Sequence, residues 1–368
     1  MYGVYVHVPW CRIRCPYCAF AVDTRRAPDD AAWLARTLED WARERPFFEG
    51  RPETLSFGGG TPSRADPAAL ATVVQAVDPA GEVSLEANPE DVTPQRLEAW
   101  RTMGVNRLSL GVQTFQPALA PRYGRAHSAR DATDALLAVS KAGFRSFSVD
   151  LIYGHPEQTV AMLVEDIDHA VATGVDHVSL YSLTIEPGTR FGDRGQTVAD
   201  EDHWCALHEA AVQRLEASRL QRYEVSNFSR KGARSVHNEH YWRARHWAGL
   251  GPSAHGWRPD QARVANASDV SAWLAGAPPA VEGVTGRARL WELVWSTLRH
   301  VEGVDRARVR FLTGAEVVCP AAAIEAGLLV EDSASIRLTP DGFAVSDAVV
   351  EAVVQATVRA ASWIVGSS

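Results

Sequence analysis

Short β-rich apolar runs alternate along the chain with longer segments of helical period. The runs lie at residues 2–8, 54–57, 82–87, 107–111, 146–152 and 177–183. Amphipathic stretches at 30–48, 67–77, 94–103, 129–142, 159–173 and 202–218 fall between and after them. Their ends carry matching punctuation: Thr93 and Pro94 suit an N-cap and first helical position, and Gly104, Gly143 and Gly174 stand where C-terminal caps belong. Six consecutive βα units predict an α/β fold in which a parallel sheet curls into a full or partial barrel, of (β/α)6 type.

The last third of the chain has a different rhythm. Residues 277–279 and 283–286 read as connecting chain, and 289–300 as a helix with Leu290, Leu293, Val294 and Leu298 on one stripe. Segments 304–312 and 321–327 follow, then a strand pair at 328–330 and 335–338 about a polar turn, Gly342, and a terminal helix. A few helices and one hairpin predict a smaller α+β, winged-helix-like domain. Of the tryptophans here, Trp291, Trp295 and Trp363, most are expected in the core.

Composition narrows the function classes. The 368 residues can hold one large domain and a smaller one, and 46% hydrophobic with 22% charged residues is ordinary for a globular protein. A net charge of -8 argues against a nucleic-acid surface, so the C-terminal domain reads as a cover or partner surface. No apolar run reaches membrane-spanning length. Met1 lies close to the first strand, so no targeting segment is expected, and reduced thiols near the start point to a cytoplasmic location.

Those thiols carry the chemistry. Cys11, Cys15 and Cys18 share one loop after the first strand. Three thiolates this close can hold three corners of a 4Fe-4S cluster, leaving the fourth iron open to a small molecule. Zinc needs a fourth ligand, and Cys205 and Cys319 lack a paired-cysteine context; unliganded thiols remain a further alternative. A disulfide framework fits least, since the chain has 5 cysteines, an odd number.

Barrels of this kind gather their chemistry at the C-terminal strand ends. Gly58, Gly59, Gly60, Thr61 and Pro62 follow the second strand; Glu86 and Asn88 end the third; Gln113 follows the fourth; Asp150 lies in the fifth among apolar neighbours. Glycines let a ligand reach backbone groups, although such a turn also serves as a tight strand-to-helix connection. Buried acids need partners or ligands, and Arg125 could clamp a carboxylate.

With those residues in view, the chain resembles the radical S-adenosylmethionine (SAM) superfamily, in the branch related to oxygen-independent coproporphyrinogen III oxidase. The likeness rests on the Tyr5–Cys11 and Cys15–Cys18 wording, the Phe57–Pro62 turn, and the blocks beginning at Glu86, Gly111 and Asp150, over most of the first 230 residues. It implies a radical SAM barrel over 1–230, a cluster on Cys11, Cys15 and Cys18, and SAM chelating the open iron. It also implies that Tyr5, Gly59, Gly60, Thr61, Glu86, Gln113, Arg125 and Asp150 hold SAM, and that a reduced cluster can cleave SAM to a 5'-deoxyadenosyl radical.

Within the branch, the oxidase typically carries a further cysteine two residues after the third, where this chain has Phe20, and a long N-terminal extension. Both departures point to the HemW group of haem chaperones. So does His237-Asn238-Glu239-His240-Tyr241-Trp242, which resembles that group's HNxxYW haem motif. Its implied haem residues are His237, Asn238, Tyr241 and Trp242, with His237 the preferred axial ligand, and His240, His246 and His255 as alternatives. His237 and His240 could equally make hydrogen bonds while the aromatics pack. The motif and its surroundings occupy 231–280, and the smaller domain 281–368.

The expected function is a haem chaperone that binds a 4Fe-4S cluster and SAM and delivers haem to respiratory haem proteins, including those at the membrane surface. An electron donor joins if SAM is cleaved. The alternatives are an oxygen-independent coproporphyrinogen III oxidase or dehydrogenase, and a radical enzyme on an unrelated substrate.

Overall fold

Why the six runs become strands is visible in their side chains. In β1 (Gly3–Val8), β2 (Thr54–Gly59), β3 (Glu82–Ala87), β4 (Arg107–Gln113), β5 (Ser146–Tyr153) and β6 (His177–Ser182), apolar residues alternate with small or polar ones. Val4, Val6, Leu55, Phe57, Leu85, Leu108, Leu110, Val149, Leu151 and Val178 are buried in one core with the helices. The intervening Ser56, Ser84, Ser109, Ser148 and Ser179 share the opposite, inner face, where small side chains leave room. A computed structural model gives this arrangement and describes residues 1–24, 28–125 and 127–360.

The six strands run parallel in chain order. The helices that return the chain are α1 (Asp30–Glu44), α2 (Pro67–Val77), α3 (Pro94–Thr102), α4 (Ala129–Lys141) and α5 (Val160–Ala172). Thr93 caps α3 by accepting from the Arg96 N–H, with Pro94 at its first position. Gly104, Gly143 and Gly174 have φ of 103°, 80° and 88°, the left-handed geometry that closes a helix. After β6 come α6 (Arg190–Asp193) and α7 (Glu201–Ala217).

The sheet does not end there. β8 (Asn227–Ser229) pairs antiparallel with β6, and β7 (Gln221–Arg222) pairs antiparallel with β8 at the edge. Helix α8 (Val236–Trp242) leads to β9 (Trp247–Leu250), which pairs parallel with β1 at the other edge. β10 (His255–Trp257), β11 (Ala262–Ala265), α9 (Val270–Leu274) and β12 (Ala280–Gly283) follow, giving a partial barrel within one 12-stranded sheet. The stretch read as connecting chain around Pro279 and Gly283 therefore contains the outermost strand, whose four residues are all exposed and carry no periodic signal.

A second core gathers Leu290, Val294, Leu298, Val309, Ile336, Val350 and Val353. It lies among α10 (Gly286–Leu298), α11 (Arg306–Thr313), α12 (Ala321–Glu325), α13 (Pro340–Ala344) and α14 (Ser346–Ala360). β13 (Val304–Asp305), β14 (Leu329–Glu331) and β15 (Ser335–Leu338) form a separate antiparallel sheet, a small wing beside helices. Trp291 is 42% exposed rather than core, Trp295 is partly buried, and Trp363 lies outside the described residues. Among the described residues no helix is long and apolar enough to cross a membrane.

Candidate functional site

The cysteine loop leaves β1 at Val8 and is stapled at its neck. The Asp23 N–H donates to the Pro9 carbonyl at 2.8 Å, and the Cys11 N–H to the Asp23 carbonyl at 3.2 Å. His7 adds a second staple, its Nε2–H donating to the Ala21 carbonyl at 2.7 Å while Nδ1 faces the Tyr5 hydroxyl at 3.3 Å. Burial lowers the His7 imidazole to a pKa of about 4, so it stays neutral and fixed in one tautomer. The sequence reading passed over His7, although its place between two apolar valines signalled an inward imidazole.

All three thiols line one cavity of about 630 Å3 at the C-terminal ends of the strands. The Thr61 hydroxyl lies 3.4 Å from the Cys11 sulfur. Burial pushes the Cys11 thiol up to about 11 and raises Cys18, so positive charge is needed to hold them as thiolates. Among the described residues no three His, Cys, Asp or Glu side chains converge on a single metal ion. Three neighbouring thiols on one loop suit the separate corner irons of a cluster.

Opposite the cysteines, the glycine turn is built for close approach. A Cβ on Gly59, at φ 107°, would lie 2.5 Å from the His7 ring, and one on Gly60 would lie 2.8 Å from the Pro9 backbone. The turn presents bare backbone to the cavity, and the Gly59 N–H also donates to Glu86 at 3.3 Å. At the end of β4 the register shifts between Gly111 and Gln113, and Gln113 adopts φ 72°. That strained conformation of a buried non-glycine residue turns Gln113 into the cavity wall, the kind of strain found at functional sites.

Gly59, Gly60, Thr61, Glu86, Gln113, Arg125 and Asp150 all line the cavity with the three cysteines. Tyr5 does not: it sits deeper in the barrel, against Gly58 and beneath Glu86. Arg125 donates to Asn88 Oδ1 at 3.0 Å and to the Tyr17 hydroxyl at 3.1 Å, while its Nε is buried without a partner. Asn88 joins the wall from the end of β3 and Tyr17 from the cysteine loop itself, whereas Tyr181 is a cavity residue that motif reading missed, because only the fold brings it there.

Glu86 and Asp150 both open into this cavity. Enclosure by the protein, and then the Asp150 carboxylate, push the Glu86 carboxyl up to about 8 against the Gly59 N–H, although the residue stays exposed to the water of the cavity. Asp150 is raised by burial too, against the hydroxyls of Ser179 and Ser109, the latter 2.9 Å away. One wall thus offers two neighbouring carboxyl groups near an arginine with a free N–H. A ligand bearing hydroxyls and a carboxylate satisfies all three.

The histidine motif lies at the other end of the barrel. Ser235 caps α8, and the first turn of that helix sits on Glu82 at the start of β3. The His237 N–H reaches Glu82 Oε1 at 3.0 Å and the Val236 N–H reaches Oε2 at 3.3 Å. The His237 ring is 2% exposed, with Nδ1 2.7 Å from the Thr54 hydroxyl and Nε2 2.7 Å from the Tyr241 hydroxyl. Neither ring nitrogen is open to iron in this arrangement, and burial lowers the imidazole to a pKa of about 3. Tyr241 extends upward, close enough to Glu86 to feel its charge. Asn238 donates its N–H to Ser235 Oγ at 3.3 Å, Trp242 packs on Trp295, and His240 Nε2 lies 3.2 Å from Glu53. In this structure the motif plugs the lower end of the barrel.

The radical SAM superfamily profile matches residues 5–170. The Heme chaperone HemW of Escherichia coli (strain K12) is 36% identical over 264 residues, covering 69% of this chain and 69% of that protein. The Heme chaperone HemW of Mycobacterium tuberculosis (strain CDC 1551 / Oshkosh) is 35% identical over 370 residues, covering 95% of this chain and 94% of its own. Among solved structures, the coproporphyrinogen III oxidase HemN of Escherichia coli, a radical SAM enzyme, superposes with a TM-score of 0.81 at 19% identity, covering 95% of this chain and 89% of that one; the likeness is one of fold.

Proposed function

The chain belongs to the radical SAM superfamily, in its HemW-type branch, and we propose that it is a cytoplasmic haem chaperone carrying a 4Fe-4S cluster and SAM. Cys11, Cys15 and Cys18 would hold the cluster, and Gly59, Gly60, Thr61, Glu86, Gln113, Arg125 and Asp150 the SAM beside it. The supporting observation is the convergence of three thiols and an arginine with one unpartnered N–H on one cavity of about 630 Å3. A bound cluster supplies electrons to SAM and an iron site for its amino acid group.

Haem is the cargo in this reading, and respiratory haem proteins receive it. Phe20 is 64% exposed on the cavity wall where the oxidase-type pattern has a cysteine, and a phenyl ring cannot ligate metal. The branch point is tested by two reactions of the anaerobically reconstituted protein. Haem-loaded protein mixed with the apo form of a respiratory haem protein should pass haem to it, and reduced protein given SAM and coproporphyrinogen III should release no decarboxylated product. Steady decarboxylation without haem transfer would replace the chaperone reading with the oxidase.

A further inference from the structure

We infer that Asp91 is a positioning residue for SAM. It closes a circuit of polar contacts, through Arg12, Ser63, Asn88, Arg125 and Tyr17, that holds the cysteine loop in register with Arg125. The inference rests on the reading of the cavity as a cluster and SAM site, and it assigns side chains that set the geometry of that site from behind its wall.

The circuit starts inside the cysteine loop. Arg12, between the first two thiols, forms an ion pair with Asp91, the arginine side chain being 50% exposed and the carboxylate 1%. Asp91 ends the short turn Pro89–Asp91 after β3, and its N–H donates to the Asn88 carbonyl at 3.0 Å. Its second oxygen accepts from the Ser63 hydroxyl at 2.7 Å, and the oxygen of that hydroxyl accepts from the Asn88 N–H at 3.3 Å. Ser63 is fully buried in the turn Pro62–Arg64, directly after the glycines. From Asn88 Oδ1 the contacts pass to Arg125 at 3.0 Å, and from Arg125 to the Tyr17 hydroxyl at 3.1 Å. Tyr17 lies between Cys15 and Cys18, so the circuit re-enters the loop it left.

A carboxylate this enclosed is costly without a counter-charge, so Asp91 keeps Arg12, and with it the stretch from Cys11 to Cys15, against the end of β3. Arg14, two residues on, donates among the described residues only within the loop, to the Cys18 and Phe20 carbonyls at 3.2 and 3.4 Å. The charged tie to the end of β3 therefore belongs to Arg12. At the other side of the circuit, Arg125 uses its two terminal nitrogens on Asn88 and Tyr17. A guanidinium is planar, so fixing two nitrogens fixes the third. That third nitrogen, Nε, carries the unpartnered N–H of the cavity wall. Ser63 and Asp91 do not line the cavity themselves, and they act on a ligand only through Arg12, Asn88 and Arg125.

The test compares full-length wild type with Arg12→Gln, Arg12→Lys, Asp91→Asn and the Arg12→Gln/Asp91→Asn double variant. Amide hydrogen exchange of the cysteine loop is followed in the cluster-free chain, and SAM affinity in the cluster-loaded protein from the change in its electron paramagnetic resonance spectrum. Arg12→Gln and Asp91→Asn should each speed exchange in the loop and weaken SAM about tenfold, with iron content unchanged. Arg12→Lys keeps the charge and should stay within about twofold of wild type on both readouts. The double variant should be no weaker than either single one, because the two side chains act as a unit. Wild-type SAM affinity or lost iron in Arg12→Gln overturns the circuit and leaves the SAM reading standing, as do additive losses in the double variant. A wild type whose spectrum ignores SAM overturns both.

Discussion

Cys15→Ser yields a protein that folds but stays colourless after anaerobic reconstitution with iron and sulfide. The thiol lies on the cavity wall with Cys11 and Cys18, and a hydroxyl is too weakly acidic to replace a thiolate on iron. With two thiols left, the cluster loses its third corner, so the broad visible absorbance should fall to background and bound iron by at least tenfold. Cys205→Ser, exposed on α7, and Cys319→Ser, near the second core, serve as controls that keep the full colour. A brown Cys15→Ser protein with wild-type iron content would sink the assignment.

Glu82→Ala should be the most destabilising single change at the far end of the barrel. Its carboxylate is 6% exposed and accepts from the Ser235 hydroxyl and the Val236 and His237 N–H groups, with the Arg107 guanidinium 3.9 Å away. Removing it strands three donors at the start of α8 and leaves a buried cation short of its counter-charge. Such a loss costs about 3–5 kcal/mol, or a fall in Tm of roughly 10 °C. Thermal unfolding followed by circular dichroism checks it, and a loss under 2 °C would show that α8 holds its place without Glu82. Cluster assembly at the opposite end should survive in the fraction that stays folded.

These two residues show what the sequence could and could not convey. Cys15 was legible because its partners are neighbours in the chain, and a short spacing is a local fact. Glu82 acquires its role only from Ser235 and His237, more than 150 residues later, and nothing near Glu82 signals that a helix will dock on it. For the same reason the motif wording carries no information about which barrel end His237 reaches, or that Thr54 will lie against its ring. Tyr5 stood in the right strand, but pleat and depth together set it below the cavity.

The parallel strands were readable because six alternations of strand and helix repeat one physical pattern, and Thr93-Pro94, Gly104, Gly143 and Gly174 punctuate it. The added strands β7 to β12 were hidden because runs of two to four residues are too short to show a period. Gln113 appeared as a strand-end residue, whereas its left-handed backbone and the bulge that aims it into the wall emerge only from pairing with β5.

Everything said of function depends on the cavity holding SAM against the open corner of a cluster. Electron paramagnetic resonance of the reduced, reconstituted protein, with and without saturating SAM, tests that claim most directly. The account predicts shifted g values on adding SAM in wild type, and no shift when Arg125 and Asp150 are both replaced by alanine. Superimposable wild-type spectra with and without SAM would contradict it.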